Sequence, residues 1–397
     1  MSEWREVKLG EVLTLSQGLA INKQSKHLQT EDNNEIPLLR IADLIEKTKT
    51  RYIKREVPDR FIAHPDELIY TRTGRVGLVF KNRYGVVHNN CFKIKPNEEI
   101  VDKDFLYWLL STKFIYSHVN SIATGAAQPD LTHSKFKSIK VLIPDLEKQK
   151  KISYILSTYD KLIENNNRRI QILEQTAEEL YKEWFVRMRF PGYEKTKFDK
   201  GIPEGWEVTK FINENCELIP SGVKRYDNLK QYIATADVNE LEISNGEYFD
   251  YKNRPSRANM EPKVNSLWFA KMADSRKHMY IIEENFYIYC NYIFSTGFAG
   301  ISCKKEYFYY YLSFIRYGGF EELKDSYANG ATQVAINNDN IKRIPILIPE
   351  LKLIERFNAI VKDIYIEISK LQKSSKILMK NRDLLLPRLM NGTITVK

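Results

Sequence analysis

Between residues 152 and 184 the apolar positions recur at alternating steps of four and three. Ile152, Leu156, Tyr159, Ile163, Asn166, Ile170, Leu173, Ala177, Leu180 and Trp184 form this stripe. It recurs 205 residues later at Phe357, Val361, Ile364, Ile368, Leu371, Ser375, Leu378, Arg382, Leu385 and Leu389. Seven-residue spacing gathers one narrow apolar stripe on one helix face, and such a stripe must be buried against a partner stripe. About 38 residues at a 1.5 Å rise make a rod of roughly 55 Å, longer than one small domain. The pattern predicts two long helices paired as an antiparallel coiled coil, which would carry globular domains at the two ends of the rod. Asn166 stands mid-seam as a polar register marker. The competing reading is two amphipathic helices, each packed on its own domain. Off the seam, Ile155, Leu162, Phe185, Ile360, Ile377 and Leu384 form a second apolar set, which predicts partner proteins.

The same 205-residue offset holds upstream of the helices. Gly125-Ala126-Ala127-Gln128 matches Gly330-Ala331-Thr332-Gln333, and Phe136–Leu146 matches Ile341–Leu351 without a gap. Gln128 and Gln333 recur in both halves, so they are poorly placed to read different sequences. Closure of the turn is the expected role, with phosphate contact as the alternative. Trp206-Glu207-Val208 echoes Trp4-Arg5-Glu6-Val7, and Phe190-Pro191-Gly192-Tyr193 is expected to end the first helix. The order is globular 1–146, helix 147–190, linker 191–200, globular 201–351, helix 352–391 and tail 392–397. The globular segments resemble each other far less than the helices do. Short apolar runs bounded by turn residues predict strands at Ile36–Leu39, Leu68–Tyr70, Gly77–Phe80, Gly85–Val87, Tyr232–Ala234, Met279–Ile282 and Phe286–Tyr289. Aromatic helices are expected at Phe105–Tyr116 and Tyr307–Ile315. The fold class is α+β, with two mixed domains separated by the helix pair.

The net charge of +10 is concentrated. Arg40–Lys95 carries 13 Lys/Arg against 6 Asp/Glu, and Lys252–Lys277 carries 7 against 2. A basic stretch in each half points toward nucleic acid, although two solvated basic loops would give the same count. Candidate DNA contacts in the first half are Lys23 and Gln24 after Gly18, Arg72, Thr73 and Arg75 on a Gly-containing turn, and Asn89 and Asn90 after a strand. In the second half they are Lys224 and Arg225, then Arg254, Arg257 and Asn259 in a Pro-containing loop, with Arg276 and Lys277 beside an apolar strand, where Lys271 also lies. Arginine can bind guanine bidentately and asparagine adenine, while other cations hold phosphates.

A catalytic reading lacks its parts. No phosphate-cradling G-x-x-x-x-G-K-[S/T] loop is present, nor an Asn/Asp-Pro-Pro-aromatic motif of amino-methyltransferases. Four Pro-Asp pairs occur, but the first E-x-K after any of them is Glu261-Pro262-Lys263, across the domain boundary. The six histidines show no metal-ligand spacing. Four scattered cysteines, Cys91, Cys216, Cys290 and Cys303, make a disulfide framework or zinc site unexpected. No apolar run reaches membrane-spanning length and no secretory leader is evident, so a reducing, cytoplasmic setting is expected.

This arrangement resembles the specificity subunit of type I restriction–modification enzymes over nearly the whole chain. The resemblance is carried by W-x-x-V-x-L-G-E at Trp4–Glu11, the two G-x-x-Q turns, I-P-x-L-x-x-Q at Ile143–Gln149 and the ending Leu386-Pro387-Arg388-Leu389-Met390-Asn391-Gly392. The second copy has Ile354 where the first has Gln149. The resemblance implies two variable target recognition domains, each reading half of a split double-stranded DNA target. It also implies helices that act as spacer and as docking surface for methyltransferase and restriction subunits. The chain itself would bind no cofactor or metal. S-adenosylmethionine, ATP and magnesium would belong to the partners. A stand-alone bipartite DNA-binding regulator and a coiled-coil scaffold remain the alternatives.

Overall fold

A computed structural model describes residues 4–125, 128–239, 242–243, 246–330 and 334–396. The chain divides into two compact units, Met1–Asn165 with Ser375–Lys397, and Asn166–Ser374. Each long helix, Leu146–Tyr181 and Leu351–Met390, contributes a stretch to each unit.

In the first unit the opening strand Arg5–Lys8 pairs antiparallel with Lys140–Ile143, the strand that leads into the first long helix. Arg5 faces Ile143 and Lys8 faces Lys140. An antiparallel sheet follows in the order Leu13–Gln17, Cys91–Pro96, Leu68–Thr71, Val79–Lys81. A second sheet is centred on a parallel pair, Ile36–Leu39 beside Gly85–Val87. The close crossing behind it fixes Gly18, where a Cβ would lie 2.3 Å from the His88 carbonyl oxygen. Helices Lys103–Leu110, Lys113–Ile122 and His133–Lys137 cover the first sheet. Asp102, Thr112 and Thr132 cap them, each side chain accepting a hydrogen bond from the backbone N–H three residues on. The single helix expected over Phe105–Tyr116 is therefore two, because the Thr112 hydroxyl starts a new one.

The second unit repeats this topology on a diverged sequence. Glu207–Lys210 pairs with Pro345–Ile348, Glu207 facing Ile348 and Lys210 facing Pro345, the register of the first unit. Its antiparallel sheet runs Cys216–Leu218, Phe298–Cys303, Ser266–Ala270, His278–Ile281, and a parallel pair, Lys230–Ile233 beside Tyr292–Ser295, centres the other sheet. Helices Phe308–Arg316, Gly318–Ser326 and Asn338–Arg343 begin 205 residues after their counterparts. The gapless repeat thus extends back to Lys103. Pleated strands need only alternating apolar faces, so the sheets survive substitutions that erase recognisable identity.

Two sequence expectations are corrected here. Phe286–Tyr289 is a helical turn and not a strand. Asn285 ends the preceding strand, its side chain accepting from the Ile282 N–H and donating to the Tyr280 carbonyl. Cys216 and Cys303 face each other on paired strands and are joined as a disulfide. Their separation of 87 residues hid the pairing from the sequence.

The helix seam is as the heptads predict. No seam residue of either helix is exposed, and Leu156, Phe357, Val361 and Ile368 are completely buried. In the first unit Asp160 meets Arg382 at 2.7 Å, and Ile152 and Leu156 share a core with Leu389 and Met390. In the second, Asn166 donates to the Ser374 hydroxyl at 3.4 Å and Arg169 meets Glu367 at 2.9 Å. Partner numbers fall as positions rise, so the helices run antiparallel in both units. Gln149 and Ile354 occupy equivalent buried positions with different chemistry. Gln149 ties the helix entry to the Asp102 N–H and the Ile100 and Pro144 carbonyls, whereas Ile354 joins an apolar core.

The first long helix closes in a wider π turn, Lys182–Val186, and stops before Phe190-Pro191-Gly192. The wider turn brings Trp184 and Phe185 inward together, where both pack on Phe357 with ring centroids 5.6 and 4.8 Å away. Phe185 is therefore core and leaves the expected partner-facing set. Ile155 is also half-buried, but Leu162, Ile360, Ile377 and Leu384 stand exposed. The two opening tryptophans have matching tasks. Trp206 packs on Phe185 and Phe190 after the first long helix, and Trp4 lies against Gly392 after the second.

Candidate nucleic-acid interface

In each unit the turn leaving the third-named strand pairs with the Gly-x-x-Gln segment. In the first unit Thr73 bridges Asp130, which also bridges Thr124. In the second, Met272 bridges Ala335, which also bridges Asn329; Ala335 and Asn329 keep the 205-residue offset, whereas Met272 stands 199 residues after Thr73. Gly125 adopts φ +107°, and a Cβ there would sit 2.6 Å from the Gln128 carbonyl oxygen, so glycine is what lets this turn close. The Gln128 side chain is exposed. Gln333, with Ala126, Ala127, Ala331 and Thr332, lies outside the described residues.

Arg72 spends its donors inside the first domain. Its guanidinium meets both Asp130 oxygens at 2.7 and 2.6 Å and Gln17 Oε1 at 3.1 Å, and it lies over the Phe92 ring. The Thr73 hydroxyl donates to Asp130 at 2.7 Å, and His133 shares Gln17 Oε1 at 3.1 Å. Arg75, two residues on, is exposed. Asn90 gives its carbonyl to the Arg72 and Thr73 N–H groups, and Asn89 binds Leu19 and Gln17 through its backbone. Both asparagine residues are half-buried. Lys23 and Gln24 project from a loop held by Asn22 and Ser25, whose hydroxyl donates to the Ala20 carbonyl.

Asp130 gives this turn a pH dependence. Partial burial would raise its carboxyl, but hydrogen bonds from Thr73 and Arg72, together with the Arg72 charge, outweigh burial and hold it below the usual carboxylate range. Stability from such a group is present above the unfolded-state value near 3.9 and is lost as pH falls through the folded value. Asp130→Asn is therefore expected to denature at lower urea concentration than the parent at neutral pH. The gap should narrow as pH falls below about 4, where the unfolded and then the folded carboxyl of the parent takes up a proton. A gap independent of pH would deny the carboxylate this role.

The second domain divides its cations similarly. Arg254 is turned inward, donating to the Ala258 and Tyr251 carbonyls with its guanidinium 4.1 Å over the Tyr251 ring. Lys277 donates to the Thr235 carbonyl at 2.6 Å, and half-buried Lys271 has its pKa lowered by burial. Lys224, Arg225, Arg257 and Arg276 are exposed, and Asn259 is half-buried with its carbonyl accepting the Gly222 N–H. Arg276 also reaches the Gly318 carbonyl at 3.4 Å. Sequence reasoning thus named cations of two kinds alike, because internal acceptors such as Asp130 are visible only in three dimensions. It missed Gln17, Asp130 and His133 in the first domain, and His278, Glu321 and Lys324 in the second. Pro129-Asp130 is one of the four Pro-Asp pairs of the sequence, and nothing in the local sequence marks Lys324.

Among the described residues no group of three or more His, Cys, Asp or Glu side chains is placed to hold a metal, and no helix is long and apolar enough to cross a membrane. Each unit thus carries an α+β domain with exposed cations on loops and a stretch of antiparallel helix pair. Residues 1–175 match the family described as the type I restriction modification DNA specificity domain, and the curated relatives that the chain resembles are named as type I restriction enzyme specificity subunits. It is 27% identical over 355 residues to the type I restriction enzyme MjaIX specificity subunit of Methanocaldococcus jannaschii, covering 83% of this chain and 78% of that one. It is 24% identical to the HindI specificity subunit of Haemophilus influenzae, covering 99% of this chain and all of the relative. The crystal structure of the type I restriction–modification S subunit from M. genitalium shares the fold, with a TM-score of 0.61 at 14% identity over 98% of this chain and 96% of that one.

Proposed function

We propose that the chain reads a bipartite double-stranded DNA target, one half-site per globular domain, for a complex whose modification and restriction subunits dock on it. The observation that carries this reading is the repeated turn. In both domains the turn leaving the strand bridges the segment that follows Gly125 or Gly330, and the bridges Thr124–Asp130 and Asn329–Ala335 keep the 205-residue offset, while the exposed side chains around them differ. Equivalent mounts with different exposed residues suit two different half-sites. Arg75, Lys23 and Gln24 in the first domain, and Lys224, Arg225, Arg257 and Arg276 in the second, are the proposed DNA contacts. Arg72 and Arg254 act behind them by holding the loops. Leu162, Ile360, Ile377 and Leu384, apolar and exposed on the long helices, are the proposed docking positions.

Catalysis is assigned to the partners. The methyltransferase would use S-adenosylmethionine to modify adenine, which requires flipping the base from the duplex. The restriction subunit would use ATP and magnesium, and the assembly would work in the cytoplasm. The purified chain alone is expected to bind DNA with steep salt dependence, because each phosphate contact releases condensed counterions, and to methylate nothing. Co-expressed with an adenine methyltransferase subunit, it should form a stable complex that methylates one bipartite motif. Methylation by the chain alone would overturn the assignment, as would a complex that methylates without a motif.

A further inference from the structure

We infer that Lys324 is a positioning residue for target reading by the second domain, fixing from inside the protein the shape of the Lys271–Lys277 turn that carries Arg276. This rests on the proposal that the turn faces DNA. The Lys324 side chain is completely buried. Its ammonium lies 2.6 Å from Glu321 Oε2, 3.1 Å from the Met272 carbonyl oxygen and 3.4 Å from those of Ala270 and Ser275. The other Glu321 oxygen takes His278 Nε2 at 2.7 Å. The neighbouring Asp325 accepts the Asp274 N–H at 3.0 Å, and Asp274 has φ +54°, a left-handed conformation that aspartate adopts with local hydrogen-bond support. On the opposite side the turn is tied to the Gly-x-x-Gln segment by Ala273 N–H to the Val334 carbonyl and Ile336 N–H to the Lys271 carbonyl.

The first domain shows that a charge is not needed merely to fill this place. At the 205-residue offset, Val119 stands for Lys324, Tyr116 for Glu321 and Asn120 for Asp325. Val119 is completely buried. It and Tyr116 line the space beside Gly77, in a turn of the same length where Asn120 donates to the Val76 carbonyl. A buried ammonium is costly unless it is paired and hydrogen-bonded. What it supplies that valine cannot is attraction to three carbonyls of one irregular turn at once. The second domain's turn has that support at its centre, and Met272 and Arg276 stand exposed on it.

The test uses the full chain in complex with its methyltransferase partner, with Lys324→Met and Glu321→Gln/Lys324→Met. The double variant removes both charges of the closest pair, and Asp325, 3.6 Å from the ammonium, keeps its hydrogen bond from the Asp274 N–H. Two quantities are read. One is amide hydrogen exchange over residues 271–277 of the chain, and the other is methylation of cognate duplex against duplexes mismatched in one half-site. The expected result is faster exchange confined to that turn, with about tenfold loss of discrimination in the second half-site and none in the first. Recovery of thermal stability by the double variant without recovery of discrimination would separate positioning from bulk stability. A folded variant with unchanged exchange and unchanged discrimination would overturn the inference, as would equal loss in both half-sites. Arg276→Ala serves as the control for the reading beneath it. Faster exchange in Lys324→Met, with discrimination intact in both it and Arg276→Ala, would show that the turn is held by Lys324 but reads no DNA, which overturns the role in specificity.

Discussion

Leu156→Asp is expected to unfold the first unit at ordinary temperature. Leu156 is completely buried on the helix seam in one core with Trp108, Ile152, Leu389 and Met390. Removing a buried leucine side chain alone costs about 2–5 kcal/mol. A carboxylate in its place has no cation among those neighbours, and burying it adds several kcal/mol more or forces its protonation. The sum is comparable to the whole stability of a typical domain, about 5–15 kcal/mol. Leu173→Asp, at a half-buried seam position of the second unit, is expected to cost less, because the new carboxylate can turn toward water. Urea denaturation followed by fluorescence and circular dichroism would rank the two variants, and each unit is to be fitted separately, since two compact units need not unfold as one. Equal, small effects would mean that the seam does not stabilise either unit.

The seam was legible because seven-residue spacing is a rule about a helix face alone. Its members, from Ile152 to Leu389, are all buried or half-buried in the structure. The duplicated frame was legible for a similar reason. Gly125 and Gly330 both take positive φ in the equivalent turn, so the residue type itself records the backbone. Phe185 failed because heptad counting assumes a regular α-helix to the end, and the π turn rotates it inward. Phe286–Tyr289 failed because aromatic β-propensity gave way to the Asn285 side chain. The likeness of the two globular domains was hidden by divergent sequence, yet the strand order of the antiparallel sheet and the parallel pair of the other sheet are the same, that other sheet having five strands in the first unit and four in the second among the described residues.

Among the cations, sequence could supply charge but not direction. Arg72 and Arg75 are neighbours on one turn, yet the first is committed to Asp130 and Gln17 and the second is exposed. Arg254 and Arg257 divide in the same way. Only Arg75 and Arg257 of these four are therefore expected to act on DNA directly. Arg72→Ala and Arg254→Ala should act through loop stability, since each leaves internal acceptors unpaired.

The most direct test of the account is a genome-wide map of methylated adenines in cells that express the chain with its methyltransferase partner. Parent, Arg75→Ala and Arg257→Ala would be compared. A lost base contact is worth about 1–3 kcal/mol, or roughly 5- to 150-fold in discrimination, enough to change the mapped motif visibly. The account predicts that Arg75→Ala relaxes or abolishes one half of the motif, that Arg257→Ala does the same to the other half, and that the spacing between halves is unchanged in both. If either variant degraded both halves equally, or if both acted on the same half, the claim of one half-site per domain would be contradicted.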